Sequence, residues 1–130
     1  MRKPILVLLS LLLVSATYAA AIDKPESAPP SYVVGIRRKG PAWKADMNTP
    51  EGRRMIQGHI EVLRKMVATG KLIAAGPFGD PTDLRGLLLF RNCTVEEARR
   101  MASEDPVVKS GQITMEYHSW SVLLKGKFPE

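Results

Sequence analysis

Cysteine is almost missing from this chain: Cys93 is the only one among 130 residues. No internal disulfide can form, so stability in an oxidising compartment must come from packing or from a partner subunit. Histidine is nearly as scarce, with only His59 and His118. Two histidines without a nearby cysteine or a paired carboxylate spacing do not make a metal set, and no metal is expected. A glycine-rich phosphate loop is missing too, because Gly76-Pro77-Phe78-Gly79 has proline where an amide would have to donate. Ser110 and Ser119 lack the context of a nucleophile elbow, which argues against a hydrolase triad. No cofactor is expected. Charge is only mildly one-sided, at a formal +6, and the basic residues are scattered apart from Arg37-Arg38-Lys39. That balance does not point to nucleic acid.

A long apolar run is also absent. Met1-Arg2-Lys3 is followed by an apolar stretch from Pro4 to Val14, interrupted only by Ser10, and then by small residues through Ala21. The run falls short of the roughly 20 apolar residues that span a bilayer, and it has the three parts of a secretory signal. Residues 1–21 are therefore expected to be cleaved, after Ala19 or after Ala21. The product is expected to be periplasmic or secreted and free of the membrane, since no cysteine follows the cut to carry a lipid. Loss of Arg2 and Lys3 lowers the formal charge from +6 to +4. Residues 22–31, with three prolines and no apolar periodicity, read as a flexible leader.

Residues 32–130 then hold roughly a hundred residues, enough for one core. Tyr32 to Arg38 is rich in β-formers and predicts a first strand. Thr49-Pro50-Glu51 has the hydroxyl cap, first-turn proline and acidic residue of a helix start, and Gly70 the residue of its stop. Ile56, Ile60, Leu63 and Val67 predict the apolar face of this helix, with Met66 beside them and His59 on the same face. Lys71 to Gly76 and Arg85 to Arg91 predict two further strands, joined as a hairpin. Thr94-Val95-Glu96-Glu97 has capping-box spacing, so a second helix should run to about Glu104, where Asp105-Pro106 ends it. Ile113, Met115 and Tyr117 alternate with Thr114, Glu116 and His118 in a last, half-buried strand. The order βαββαβ predicts an α+β, ferredoxin-like fold, with an antiparallel four-stranded sheet and two helices on one face. Its other face must be covered, and a homodimer is the simplest closure.

Laid in this order, several segments resemble the YCII-related family. Gly40-Pro41-Ala42-Trp43 resembles the Gly-Pro-x-Trp loop of some members, and Gly58-His59-Ile60-Glu61-Val62-Leu63 resembles the helix segment that carries the family's histidine. Gly70-Lys71-Leu72 with Ala75-Gly76-Pro77 is similar to the stretch leaving that helix, and Asp105-Pro106-Val107-Val108-Lys109-Ser110-Gly111 to the family's Asp-Pro motif. His118-Ser119-Trp120 departs from the usual pattern of a basic residue, a proline and an aromatic. The resemblance spans Tyr32 to about Leu124. It implies a dimeric α/β barrel and a His-Asp pair proposed as an active site. Some members are implicated in dehydrochlorination of chlorinated aromatic intermediates, and muconolactone isomerase shares the fold.

A histidine exchanges protons near neutral pH, and a carboxylate on its second nitrogen fixes the tautomer and stabilises the imidazolium. His59 and Asp105 are the candidate pair, from two helices that the fold places on one side of the sheet. A satisfied core histidine is the structural alternative for His59, and plain exposure is the expectation for His118. Cys93, just before a helix start and without a basic partner, reads as a small packed residue. Trp43 and Arg85 are candidates to line a small pocket, with the arginine holding an anionic group; they also fit a loop hydrophobic and a strand-end charge. Two functions remain open. One is a small cofactor-free enzyme, of lyase or isomerase type, acting by acid/base elimination or isomerisation on a small cyclic or aromatic compound. The other is a non-catalytic periplasmic dimer that binds a small-molecule ligand or another protein.

Overall fold

The computed structural model describes residues 31–124 and 126. The expected signal segment and nearly all of the expected leader lie outside the described residues. The elements are β1 (Ser31–Lys39), α1 (Pro50–Ala68), β2 (Leu72–Pro77), β3 (Leu84–Arg91), α2 (Val95–Ala102), α3 (Pro106–Lys109) and β4 (Ile113–Ser121). β1 takes in Ser31, one residue earlier than the expected start of the domain. The strands form one antiparallel sheet in the order β2-β3-β1-β4, so β1 and β3 are central. This is the ferredoxin-like α+β arrangement predicted from the element order.

Local chemistry starts both long helices, and stops α1, where expected. Thr49 caps α1, its hydroxyl accepting from the Gly52 amide at 3.0 Å, with Pro50 behind it. Gly70, at φ 72°, takes the left-handed position that ends the helix. Thr94 and Glu97 form both bonds of the capping box at α2. α2 ends at Ala102, two residues short of expectation, and Asp105 instead caps a separate turn, α3.

Strand alternation sends Val33, Gly35 and Arg37 of β1 toward the helices, opposite Phe90, Leu88 and Gly86 of β3. Val33, Leu88 and Phe90 pack there with Met66 of α1, Leu72, and Ala98 and Ala102 of α2, so both long helices cover the same face. Phe90 is fully buried, a burial that stabilises by roughly 1.5–3 kcal/mol. The other face carries Tyr32, Val34 and Ile36 beside Leu89 and Leu87, with Trp120, His118 and Glu116 on β4. No described element covers it.

The apolar face of α1 differs from the one predicted. Ile56, Ile60 and Val67 are 39, 36 and 56% exposed, whereas the buried positions are Gly52, His59 and Met66, one heptad apart. Leu63 and Val62 are half-buried against the core. The stripe is rotated because a polar residue, His59, occupies the position facing the sheet. The predicted face includes His59 and Leu63, but its centre lies on the histidine with its buried partner and not on Ile56, Ile60 and Val67.

Candidate functional site

His59 lies at the middle of the buried stripe of α1, and Asp105 at the N-cap of α3. Their approach depends on Gly58. A Cβ there would meet Pro106 Cγ at 3.0 Å, so the bare backbone of α1 lets α3 sit close. The result is a bond of 2.5 Å between His59 Nδ1 and Asp105 Oδ2, with both residues more than nine-tenths buried. The second carboxylate oxygen, Oδ1, accepts from the Val107 amide at 3.0 Å, which fixes the carboxylate plane. A carboxylate accepts, so Nδ1 carries the hydrogen and Nε2 is left as the basic nitrogen. Nε2 has no partner among the described residues. Because no sealed side-chain nitrogen or oxygen among the described residues lacks one, Nε2 must open toward solvent or a cavity.

A cavity of about 140 Å³ lies beside it, lined by Arg37, His59, Leu63, Ala75, Gly76, Pro77, Leu87 and Leu88. α1 forms one wall, the edge strand β2 and its neighbour β3 form most of the rest, and β1 contributes Arg37. Burial lowers the pKa of Arg37 from its ordinary value, nearby Asp105 opposes the shift, and Arg85 reinforces it. Tyr117, on the same face of β4, is pushed up to about 12, chiefly by burial; Arg99 draws it down and Asp105 adds to the rise. A larger depression of about 530 Å³ lies at the start of α1, between Lys44, Met47, Arg54 and Gln112, but neither His59 nor Asp105 lines it. The smaller cavity is the one that His59 lines.

The other residues singled out from the sequence sit elsewhere. Arg85 stacks over Trp43 at 5.0 Å, with Lys39 at 6.0 Å, and neither Trp43 nor Arg85 lines the His59 cavity. Each is half-buried, and Arg85 is near enough to Arg37 to act on its charge. His118 is exposed on the uncovered face, bonded to Glu116 at 2.7 Å, while Arg38 holds the other oxygen of that carboxylate at 2.9 Å. Cys93 is buried, and burial together with Glu97 raises its thiol pKa, as suits a packed residue. A basic residue, Lys71, does lie near Cys93, contrary to expectation, but it is paired with Glu97 at 2.9 Å.

Arg37 was not singled out as a site residue from the sequence. The signal was available: alternation from Val33 through Gly35 puts Arg37 on the core side of β1, where an unexplained charge marks a position of interest.

The model of the YCII-related domain matches residues 32–121 of the chain. Comparison with the curated proteins finds no match. Among solved structures, 5-chloro-2-hydroxyhydroquinone dehydrochlorinase from Burkholderia phenoliruptrix, in complex with 2,5-dihydroxybenzoquinone, is similar at 19% identity and a TM-score of 0.51. The likeness covers 69% of this chain and 93% of that one, and at this identity it speaks for the fold.

Proposed function

As the chain belongs to the YCII-related family, we propose that it is a small enzyme carrying out acid/base elimination or isomerisation on a small cyclic or aromatic compound. One observation carries the reading: His59 is bonded to a buried carboxylate through Nδ1, while Nε2 opens beside a cavity. His59 Nε2 takes a proton from a carbon or hydroxyl of the bound compound and returns it to another atom or to the leaving group. Asp105 holds the ring in the tautomer that leaves Nε2 basic, and its charge stabilises the imidazolium formed during transfer. General acid/base catalysis of this kind contributes about 10²–10⁴-fold. The cavity suits the substrate class, since a cavity of roughly 150 Å³ accommodates a benzene ring. The ligand of the structurally similar dehydrochlorinase, a dihydroxybenzoquinone, is likewise a single ring.

The test follows proton transfer. Chlorinated hydroquinones and small unsaturated lactones, incubated with the protein in D₂O, are assayed for chloride release and for deuterium entering ring carbons. The expected result is turnover that disappears in His59→Gln while the fold persists. Turnover at the wild-type rate in that variant would remove His59 from the chemistry. Ligand binding without exchange or elimination in either protein would favour the non-catalytic binding module.

We also propose that a second copy covers the uncovered sheet face. The support is its apolar centre, where Val34 and Ile36 lie beside Leu89 and Leu87. The signal read in residues 1–21 supports a periplasmic or secreted site of action.

A further inference from the structure

The acid/base reading leaves Arg37 unexplained. It stands within β1 on the helix-covered side of the sheet, between Gly86 and Met115 in register, and its side chain lines the His59 cavity. A guanidinium turned toward a core costs free energy unless a counter-charge meets it. The next two basic residues have one: Arg38 pairs with Glu116 at 2.9 Å and Lys39 with Asp83 at 3.5 Å. For Arg37, no carboxylate among the described residues lies within ion-pair distance. Asp105, the acid that acts on it electrostatically, has one oxygen on His59 and the other on the Val107 amide. Arg85 adds a second positive charge nearby. The cavity therefore presents positive charge, five-donor geometry and apolar walls from Leu63, Pro77 and Leu88.

We propose that Arg37 is the anion-binding group of the His59 cavity, and that its ligand is a single-ring compound with an ionised ring oxygen, a phenolate or enolate. The inference rests on the acid/base reading only for the part that His59 plays beside the bound ring. Size selects among anions. At about 140 Å³ the space matches one six-membered ring, and a ring seated there brings an oxygen on the ring itself closest to Arg37. An oxygen attached directly to the ring reaches the guanidinium without added bulk. Arg37 would then orient the ring against His59 Nε2 and stabilise negative charge on the oxygen while a proton leaves or joins the ring.

The test uses fluorinated rings followed by ¹⁹F NMR with the purified full chain. Pentafluorophenol is ionised at neutral pH, pentafluorobenzene is a neutral ring of similar size, and pentafluorobenzoate carries its charge outside the ring. Pentafluorophenolate is expected to bind saturably, to shift the Arg37 Nε–H resonance, and to bind more tightly than pentafluorobenzene by on the order of tenfold or more, the worth of a charge-assisted hydrogen bond. Arg37→Met should erase that preference and Arg37→Lys should restore part of it. Equal binding of the anionic and neutral rings by the wild-type protein overturns the proposal, whether or not the variants fold. Full phenolate affinity in a folded Arg37→Met does the same, and a preference for pentafluorobenzoate overturns the assignment to a ring oxygen. The two readings fail separately. Phenolate binding that depends on Arg37, together with undiminished turnover in His59→Gln, would sink the acid/base reading and leave the anion site standing.

Discussion

Asp105 and His59 are 46 residues apart in the chain and 2.5 Å apart in space, joined through Oδ2 and Nδ1. The same carboxylate caps α3 through Oδ1, so the group that orients the histidine is held by the backbone of its own turn. One side chain thus caps a helix and holds the histidine.

Asp105→Asn separates the two roles. Asparagine is as good a cap as aspartate, so the variant should fold with stability within about 1 kcal/mol of wild type in urea unfolding. It removes the charge facing the imidazolium and can favour the wrong tautomer. Turnover in the exchange assay should fall on the order of 10²–10⁴-fold. Wild-type turnover with intact folding would mean that Asp105 only caps a helix.

Gly58→Ala acts on the pair without touching either member. Alanine favours the helix by up to about 1 kcal/mol, but its methyl would stand 3.0 Å from Pro106 Cγ and push α3 outward by a few tenths of an ångström. Thermal unfolding should change little, while exchange activity drops because the hydrogen bond to His59 lengthens. A crystal structure of the variant with that bond unchanged would contradict this account of how the pair is brought together.

The capping box gives a pH signature. Glu97 has its pKa lowered, first by its bond to the Thr94 amide and then by Lys71. Between the lowered folded value and the ordinary glutamate value, the unfolded state binds more protons. Its contribution to stability is complete above the unfolded value and is lost as pH falls through the folded one. Glu97→Gln should flatten the acid side of a stability-pH curve below the ordinary glutamate range. Parallel curves for the two proteins would show that the bond adds nothing.

Light scattering addresses the uncovered sheet face. The wild-type protein should have twice the monomer mass, and Val34→Glu should be monomeric yet folded, since it places a charge at the centre of the apolar face. A wild-type monomer at micromolar concentration would refute the dimer and leave the protomer fold intact.

Export is read out by mass. Protein recovered from the native periplasm should begin after Ala19 or Ala21, and an intact Met1 there would show that residues 1–21 are retained.

The sequence by itself determined the order and direction of the elements. Thr49-Pro50, Thr94 with Glu97, Gly70 and Asp105-Pro106 act on amides and dihedral angles within one turn, and alternation in β4 is a property of neighbouring residues. These are short-range effects, and they were enough to select the βαββαβ fold, while the family resemblance rests on the motif residues themselves. The tertiary structure alone decided which face of α1 is buried. Ile56, Ile60 and Val67 form the better apolar row, yet His59 faces the sheet because Asp105 arrives from 46 residues away to satisfy it. Nothing local to α1 encodes that partner. Arg37 follows the same logic: alternation gives its side, but only packing shows that Glu116 and Asp83 pair with its neighbours while no described carboxylate comes to it. Contacts between distant segments settle the energy of a buried polar group, so His59 and Asp105 could be paired from the sequence, but only the fold joins them and sets Arg37 beside their cavity.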